Sequence, residues 1–342
     1  MEAAAASPCP DDAAAGLRAR ELGVHRLALP SPMVGVNCWL IDDDPLTLVD
    51  CGLNWGGALD ALEGGLRALG VALERIELIV LTHQHVDHVG LAELVARRSG
   101  APIACHARLA RWLEALPEAL VADDELIARR LAVHGAPAPV VAAYRARMEM
   151  LRMLGSRPRP ELIVGEGETL PLRDRALRAI LRPGHSPTDT VFVDEAQGLA
   201  FVGDHVMAQA RTTPYLDPDA GEGWEADLAP ARALGRSLAL TAAAWPDAIG
   251  LPGHGTAFAP VGAVAAAALA SRRRRARRLL AHLDATPRTA WELVERAYPA
   301  LTPARAFLGL LEVLAQLAEL LDAGCATALP EQRRCRFTRA AG

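Results

Sequence analysis

The sequence of 342 residues predicts an α/β fold with a smaller, mostly helical part at its C-terminus. Short apolar runs such as residues 76–81 are typical of buried strands, and they alternate with segments of helical periodicity such as residues 89–98. From about residue 263 onward, helical segments follow one another. Hydrophobic residues form 51% of the chain, which is enough for one large core and a second, smaller one.

Turn residues and changes of periodicity divide the chain into elements. The alanine-rich residues 1–20 are predicted to be a disordered lead. Strands are predicted over residues 24–29, 36–41, 46–49, 76–81, 102–105, 161–164, 169–172, 177–181, 190–193, 199–202 and 248–251, with an extended segment at 325–329. Helices are predicted over residues 58–69, 89–98, 227–243, 265–283 and 303–321, with another beginning near 286–292. Helical spacing with breaks at Pro117 and residues 135–137 predicts a helical insertion over about residues 107–160.

Composition and charge narrow the classes of partner. The net charge of -5 and the pI near 6.1 do not suit a protein built as a whole to bind polyanions. The six cysteines form no CxxC pair, which favours a reducing compartment. The N-terminal residues lack the basic and apolar regions of a signal peptide, and no run approaches the ~20 apolar residues that cross a bilayer. We therefore expect a cytoplasmic protein without a membrane partner.

A dense cluster of metal-ligand side chains follows the predicted strand at residues 76–81. His83, His85, Asp87 and His88 lie within six positions, on the connection from that strand to the next helix. On extended backbone His83 and His85 share one face. Asp87 and His88 continue into the turn and can reach an adjoining point. One metal ion could not use all four groups comfortably, whereas two ions a few ångströms apart could.

Four further candidate residues each stand beside a glycine at the end of an apolar run. They are Asp50, His185, Asp204 and His254. Glycine allows the backbone to turn sharply and to approach a neighbour closely. Each of these motifs is weak by itself, but all four in this order around the histidine cluster are highly specific.

The set resembles the metallo-β-lactamase fold superfamily over about residues 24–260. The resemblance implies a four-layer αββα sandwich, with helices outside two packed β-sheets and the metals at one sheet edge, here over residues 21–262. It also implies ligand roles for the candidate residues. His83, His85 and His185 would bind a first metal, Asp87, His88 and His254 a second, and Asp204 would bridge both. Asp50 matches an aspartate that orients a ligand histidine.

The C-terminal part, residues 263–342, has the order helix, helix, helix, strand. This order resembles the winged-helix-like tail of one branch of the superfamily, which includes nucleases and uncharacterised hydrolases. Residues 272–278 contain six arginines, which could contact the phosphates of a nucleic acid. The arginines run all around a helix without interleaved aromatic residues, so a solvated helix face is the simpler interpretation. Nucleic acid is thus the less favoured partner, and the oligomeric state stays open.

Together these residues predict a metal-dependent hydrolase that uses a dinuclear-metal-bound hydroxide on a small ester or thioester. Two zinc ions are the expected cofactors, with iron or manganese as alternatives. Asp87 would move the proton, and Tyr215, which follows the bridging aspartate, would contact the substrate. The chemistry is close to that of glyoxalase II, although Asp189 stands where many such enzymes carry a histidine.

Three other functions stay open. One is a ribonuclease or phosphodiesterase whose tail guides the nucleic acid. Another is a mononuclear iron enzyme like the persulfide dioxygenases. A third, a non-catalytic nucleic-acid-binding regulator, is opposed by the intact ligand set.

Overall fold

The computed structural model describes residues 10–114, 118–331 and 334–340. The elements of the first part of the chain are α1 (Pro10–Glu21), β1 (Val24–Leu29), β2 (Val36–Ile41), β3 (Thr47–Val49), α2 (Gly56–Ala68), β4 (Leu78–Leu81), α3 (Val86–Val89), α4 (Ala92–Ser99), β5 (Ile103–His106), α5 (Ala107–Glu114), α6 (Glu118–Val133) and α7 (Ala138–Met153). Those of the second part are β6 (Leu162–Val164), β7 (Thr169–Pro171), β8 (Ala176–Leu181), β9 (Thr190–Asp194), β10 (Leu199–Gly203), α8 (Trp224–Ala244), β11 (Ile249–Pro252), α9 (Val261–Leu279), α10 (Ala290–Ala297), α11 (Pro303–Asp322), β12 (Ala326–Glu331) and β13 (Arg334–Arg339).

The strands form two main sheets and a hairpin. The first sheet has the order β1-β2-β3-β4-β5-β6, antiparallel from β1 to β3 and parallel from β3 to β6. The second has the order β11-β10-β9-β8-β7, in which only β10 and β11 are parallel neighbours. In the first sheet β3 ends at Val49, which pairs with Val80, and β4 ends one residue later, at Leu81. In the second, the carboxyl ends of β8, β10 and β11 lie at one edge, because β8 and β10 both run antiparallel to β9.

The packing forms four layers, and it confirms the predicted αββα sandwich. One face of the first sheet packs against α2, α4 and α5, through residues such as Leu62 and Val95. The facing sides of the two sheets share a core that includes Trp39, Phe192 and Phe201. The other face of the second sheet packs against α8 and the beginning of α9. Both sheets are thus covered on both faces.

Local sequence fixes where several helices begin and end. Gly100 ends α4 in the left-handed conformation, with φ of 76°. Thr289 and Glu292 form a reciprocal capping box at the start of α10. A proline in the first turn of α7 and of α11 suits the conformation of a helix start.

The helical insertion and the C-terminal helices share one hydrophobic core. It contains Tyr144 of α7, Leu228 of α8, Leu293 of α10 and Phe307 of α11, and the rings of Tyr144 and Phe307 are 5.4 Å apart. The helix α9 spans two cores, because its first turns pack on the second sheet while Ala276 and Leu279 join the core of the tail. The predicted boundary at residue 262 therefore coincides with the start of a helix that belongs to both parts.

Three local predictions are corrected by the structure. Residues 10–20 form α1 instead of a disordered lead, because the small side chains of Ala15 and Ala19 pack into the core between the sheets. Residues 1–9 of the predicted lead lie outside the described residues, and so does the predicted break at Pro117. The helix predicted over residues 89–98 is α4, which begins later, at Ala92, because a separate short helix, α3, precedes it. The extended segment after α11 continues into a hairpin, since β12 pairs with β13. Among the described residues, no helix has the length and apolar character needed to span a bilayer.

A buried ionic cluster connects the insertion to the sandwich, and breaking it should destabilise the fold. Asp227 of α8 accepts a hydrogen bond from His134 Nε2 at 2.8 Å and lies 3.3 Å from Arg130 Nη1. Replacing Asp227 with alanine would leave a buried guanidinium without its acid, which costs about 3–5 kcal/mol. We expect a loss of this size in the free energy of unfolding, measured with urea.

The control is Glu125→Ala, which removes an exposed ion pair with Arg145 between α6 and α7. It should change the free energy of unfolding far less than Asp227→Ala. Equal effects of the two substitutions would contradict a structural role for the buried cluster.

Candidate metal centre

All seven predicted ligands lie together, at the edge where strands of the two sheets end. His83 and His85 follow β4, and Asp87 and His88 belong to α3 directly after them. The other three come from the second sheet: His185 follows β8, Asp204 follows β10 and His254 follows β11. The described residues contain three groups with ligand atoms within 4.8 Å of one another, namely His83-His85-His185, His83-His88-Asp204 and Asp87-His88-His254.

In the first group three imidazole nitrogens converge. His85 Nδ1 lies 3.1 Å from His83 Nε2 and 2.9 Å from His185 Nε2. Ligand nitrogens on one tetrahedral zinc stand roughly 3.3 Å apart, given zinc–nitrogen bonds of about 2.0–2.1 Å. These three atoms therefore have the spacing that one metal ion requires.

Hydrogen bonds on the far side of two of these rings set their tautomers. The Thr82 hydroxyl donates to Asp50 Oδ2 at 2.8 Å, so it accepts from His83 Nδ1 at 3.0 Å. His185 Nδ1 donates to the carbonyl oxygen of Thr213 at 2.9 Å. The Nε2 atoms of both rings therefore carry lone pairs that point at the same place. A cation can bind both lone pairs at once, whereas another hydrogen-bond acceptor would repel them.

The second group contains His88, His254 and Asp87. His88 Nδ1 donates to Asp50 Oδ2 at 2.7 Å, and His254 Nδ1 donates to the Gly35 carbonyl oxygen at 2.7 Å, so both Nε2 atoms face inward. His254 Nε2 lies 3.5 Å from Asp87 Oδ2. Within the described residues, His88 Nε2 is buried without a hydrogen-bond partner. A metal ion would satisfy this nitrogen.

Asp204 faces both groups. Its Oδ2 lies 3.4 Å from His185 Nε2 and 3.1 Å from His254 Nε2, while its Oδ1 lies 3.5 Å from His88 Nε2. Oδ1 is also buried without a hydrogen-bond partner among the described residues. The seven side chains fit two ions, with one carboxylate between them.

The electrostatics of the cluster favour the ligand forms of His83, His85 and Asp204. Burial, followed by neighbouring imidazoles, holds the pKa of His83 and of His85 well below the ordinary value, so both rings are neutral at pH 7. Burial opposes the charged form of Asp204, but His88 and His254 outweigh it and hold the pKa of that carboxyl well below its usual range. Neutral imidazoles and an ionised carboxylate are the forms that bind metals. For His88 and His254, burial lowers the pKa, but the neighbouring carboxylates, above all Asp204, outweigh it and raise the pKa of both imidazoles.

Comparison with known proteins identifies the family. The family model of the metallo-beta-lactamase superfamily matches residues 32–254, which is more than half of the chain and includes every candidate ligand. The chain belongs to the metallo-beta-lactamase superfamily. It is a hydrolase of that superfamily, and the superfamily fold implies divalent metal ions at this edge.

Similar members of the superfamily match nearly the whole chain. The probable metallo-hydrolase YqjP of Bacillus subtilis (strain 168) is 27% identical over 326 residues, covering 87% of this chain and 91% of the relative. The metallo-beta-lactamase family protein TTHA1429 from Thermus thermophilus superposes with a TM-score of 0.74 at 27% identity, covering 93% of this chain and 98% of that one. A beta-lactamase domain protein from Burkholderia ambifaria shares the fold, with a TM-score of 0.73, 24% identity and coverage of 93% and 91%. The matched lengths extend beyond the superfamily domain, so these proteins also share the helical C-terminal part.

Asp50 forms a hydrogen bond with the candidate ligand His88, and its amide variant should weaken metal binding. Its φ of 58° is unusual for a residue other than glycine, and its carboxylate accepts hydrogen bonds from the Thr82 amide at 2.9 Å, the Thr82 hydroxyl and His88 Nδ1. In Asp50→Asn an amide NH₂ replaces one acceptor, so His88 or Thr82 must reorient. Loss of such a partner lowers metal affinity about 10- to 100-fold, which competition with a chelator would measure.

The control is Asp43→Asn. Asp43 is also a buried carboxylate in a turn, but its partner is Arg175 at 3.2 Å, far from the candidate ligands in the fold. It should change stability without changing metal affinity. An Asp50→Asn variant with the affinity of the wild type would remove Asp50 from this role.

A cleft of about 280 Å³ opens beside the candidate ligands. His85, Asp87, Asp204 and His254 form its floor, and α6, α7 and the β1–β2 turn form its walls. The apolar part of the walls includes Met33, Ile127, Met148, Leu151 and Leu216. The helical insertion thus shapes the space in front of the metal centre.

Tyr215 lines this cleft. Its ring stands edge-on to His85 and His185, at centroid distances of 5.1 and 5.4 Å, and its amide donates to the His185 carbonyl oxygen at 3.1 Å. Burial raises the pKa of its hydroxyl to about 12, so the group is neutral and able to donate a hydrogen bond.

Among the described residues, His106, His205 and Ser186 belong to none of the three ligand groups. His205 Nε2 contacts the Thr241 hydroxyl at 2.9 Å, and burial lowers its pKa to about 3. His106 lies 3.8 Å from Glu166. The Ser186 hydroxyl donates to Asp189 at 2.7 Å, so it has no histidine base. Sequence reasoning missed Thr82, although a hydroxyl directly before a ligand histidine is a signal that could have indicated it.

Proposed function

We propose that this chain hydrolyses a small ester or thioester with two divalent metal ions, most simply zinc, at the candidate metal centre. In this proposal His83, His85 and His185 hold one ion, Asp87, His88 and His254 hold the other, and Asp204 binds both. The observation that carries it is the position of Asp204, whose Oδ2 lies 3.4 Å from His185 Nε2 of the first group and 3.1 Å from His254 Nε2 of the second. A mononuclear iron enzyme would need only the first group, so the second group favours two ions.

The chain's own residues would then divide the work of hydrolysis. Divalent ions held here supply Lewis acidity and make hydroxide available at neutral pH. The oxygen of water adds to the carbonyl carbon, the bond from carbon to sulfur or oxygen breaks, and the proton of water passes to the leaving group. Asp87 lines the cleft with its Oδ2 3.5 Å from His254 Nε2, so its carboxylate is placed to carry that proton. Tyr215, in the same cleft, can donate a hydrogen bond to the substrate.

The size and lining of the cleft support a small-molecule substrate. Its volume of about 280 Å³ and its apolar walls are typical of small-ligand sites. Similarity to a probable metallo-hydrolase from Bacillus subtilis agrees with hydrolysis. A glyoxalase II-like reaction belongs to this proposal, since thioesters are its substrates.

A nuclease guided by a winged-helix-like tail is the second candidate. Four exposed arginines of α9 favour it, namely Arg273, Arg274, Arg277 and Arg278. The other two arginines of the run have structural contacts, since Arg272 binds Glu319 at 3.0 Å and Arg275 binds Glu312 at 2.5 Å. The basic patch is therefore smaller than the sequence indicates.

An assay panel tests the proposal. The purified protein is offered a thioester set, a bis-phosphodiester reporter and single-stranded RNA, with the His83→Ala variant as control. We expect thioester turnover that is lost in the variant and on chelation, together with two zinc ions per chain by elemental analysis. Turnover of RNA alone would replace the hydrolase proposal with the nuclease, and one iron per chain would contradict the dinuclear site.

A further inference from the structure

One arginine in the wall of the cleft has no acidic partner in the part of the chain that the structure describes. Arg147 of α7 lines the cleft, and its Nε is buried with no hydrogen-bond partner among the described residues. Its Nη2 contacts Met33 Sδ at 3.0 Å, and its guanidinium carbon stands 5.7 Å from the centre of the Phe307 ring. These are apolar or weak contacts. The wall also contains Asp123 and Asp124, but among the described residues neither carboxylate lies within ion-pair distance of Arg147.

The other arginines of the same helix are paired. Arg145, on the exposed side, binds Glu125 at 2.7 Å, and Arg152, which also lines the cleft, binds Asp124. Burying part of a charge without a counter-charge costs free energy of folding. An unpaired guanidinium in a cleft is therefore typical of a site where the ligand supplies the anion. Because Arg152 already neutralises Asp124, the place for an anion is at Arg147.

Arg147 lines the same cleft as Tyr215 and the candidate ligands Asp87 and Asp204. The Tyr215 ring lies against His85 and His185, as described above. A substrate held in this cleft can therefore contact Arg147 and the metal centre at the same time. The apolar residues Ile127, Met148 and Leu151 complete the wall of the same cleft.

We propose that Arg147 binds an anionic group of the substrate, so that the substrate class is an ester or thioester with a carboxylate or phosphate separated from the scissile carbonyl by a short apolar chain. A planar guanidinium forms paired hydrogen bonds with either anion. The proposal rests on the proposed hydrolase function and adds the charge and shape of its substrate.

A matched pair of substrates tests it. The adipyl and hexanoyl thioesters of N-acetylcysteamine differ only in a terminal carboxylate or methyl group, and the hexanoyl thioester of 3-mercaptopropionate places the carboxylate on the thiol side. The wild type should prefer one of the charged thioesters over the neutral one in kcat/KM. In Arg147→Met, which keeps an apolar side chain for packing, we expect that preference to fall about 10- to 100-fold, while Arg147→Lys keeps part of it.

Arg145→Met is the matched control, because Arg145 lies on the same helix but outside the cleft. Its preference ratio should equal that of the wild type. A preference that is absent in the wild type, or that is unchanged in Arg147→Met, would overturn the assignment.

A binding measurement separates this inference from the hydrolase proposal. Thioethers of N-acetylcysteamine that end in carboxylate, phosphonate or methyl cannot be hydrolysed, and calorimetry gives their affinities for wild type and Arg147→Met. Tighter binding of a charged thioether that disappears in Arg147→Met supports the anion site even if no thioester is turned over. Equal affinities of the charged and neutral thioethers, or a charge effect that persists in Arg147→Met, would refute it even in an active thioesterase.

Discussion

Replacing Asp204 with alanine is expected to release both metal ions and to lower kcat/KM by about 10³-fold or more. The two oxygens of Asp204 face His88 on one side and His185 and His254 on the other, at 3.1–3.5 Å. Metal assistance supplies several kcal/mol of transition-state stabilisation, and each 1.36 kcal/mol is a factor of ten in rate. Elemental analysis of metal per chain, combined with thioester hydrolysis, measures both effects.

The matched variant is His254→Ala. His254 belongs only to the group with Asp87 and His88, so its loss should remove mainly one ion and leave the other bound. Equal metal loss in the two variants would contradict the assignment of Asp204 as the shared ligand. Full retention of both ions in Asp204→Ala would contradict the dinuclear centre itself.

Replacing Gly253 with alanine is expected to disrupt the centre from the backbone side. A Cβ atom at this position would lie 2.3 Å from Asp204 Oδ1 and 2.5 Å from His88 Cε1. The backbone cannot retreat easily, since the Gly253 amide donates to the Gly203 carbonyl oxygen at 2.8 Å and its own carbonyl accepts from the Asn37 amide at 2.7 Å. Two candidate ligands must move instead, and misplacement by about 1 Å can cost about 10²-fold in rate. We therefore expect a loss of activity of this size or more, with weaker metal binding.

Gly64→Ala is the control for this experiment. Gly64 lies on α2, where a Cβ atom would meet open space, and alanine is favoured over glycine inside a helix. It should keep full activity and metal content. A thermal denaturation of both variants separates local disruption from unfolding, and a fully active Gly253→Ala with normal metal content would show that the centre tolerates the displacement.

The strands and the order of the ligand motifs were predictable because both depend on short stretches of sequence. Apolar runs with sharp ends define β4, β8, β10 and β11, and the observed strand limits agree with the predicted ones to within two residues. Each candidate ligand directly follows a strand or belongs to the adjoining helix. The glycines beside the ligands were expected to let the backbone approach its neighbours closely. Gly253 confirms this, and so does Gly184, where an added Cβ would lie 2.3 Å from Leu234 Cα in α8.

Features that depend on packing between distant segments were not predictable. Alanine carries almost no patterning signal, so the role of α1 became visible only in the core between the sheets. The arginine run suggested a uniform basic face, but Arg272 and Arg275 bind glutamates of α11 that lie far away in sequence. Arg147 stood among other arginines of a helix, and no local pattern distinguished it from the paired ones.

The sequence by itself determined which side chains stand at the ends of the strands, because strand periodicity and ligand spacing are local properties. The resemblance of these motifs to the superfamily then implied the sandwich. Only the tertiary structure decided what lies in front of those side chains. The cleft is formed where α6 and α7 pack against the C-terminal helices, and the partner of each charge depends on contacts between segments that are distant in the chain. The chemistry of the centre is therefore visible in short motifs, whereas the shape and charge of its substrate depend on how the insertion and the tail are packed together.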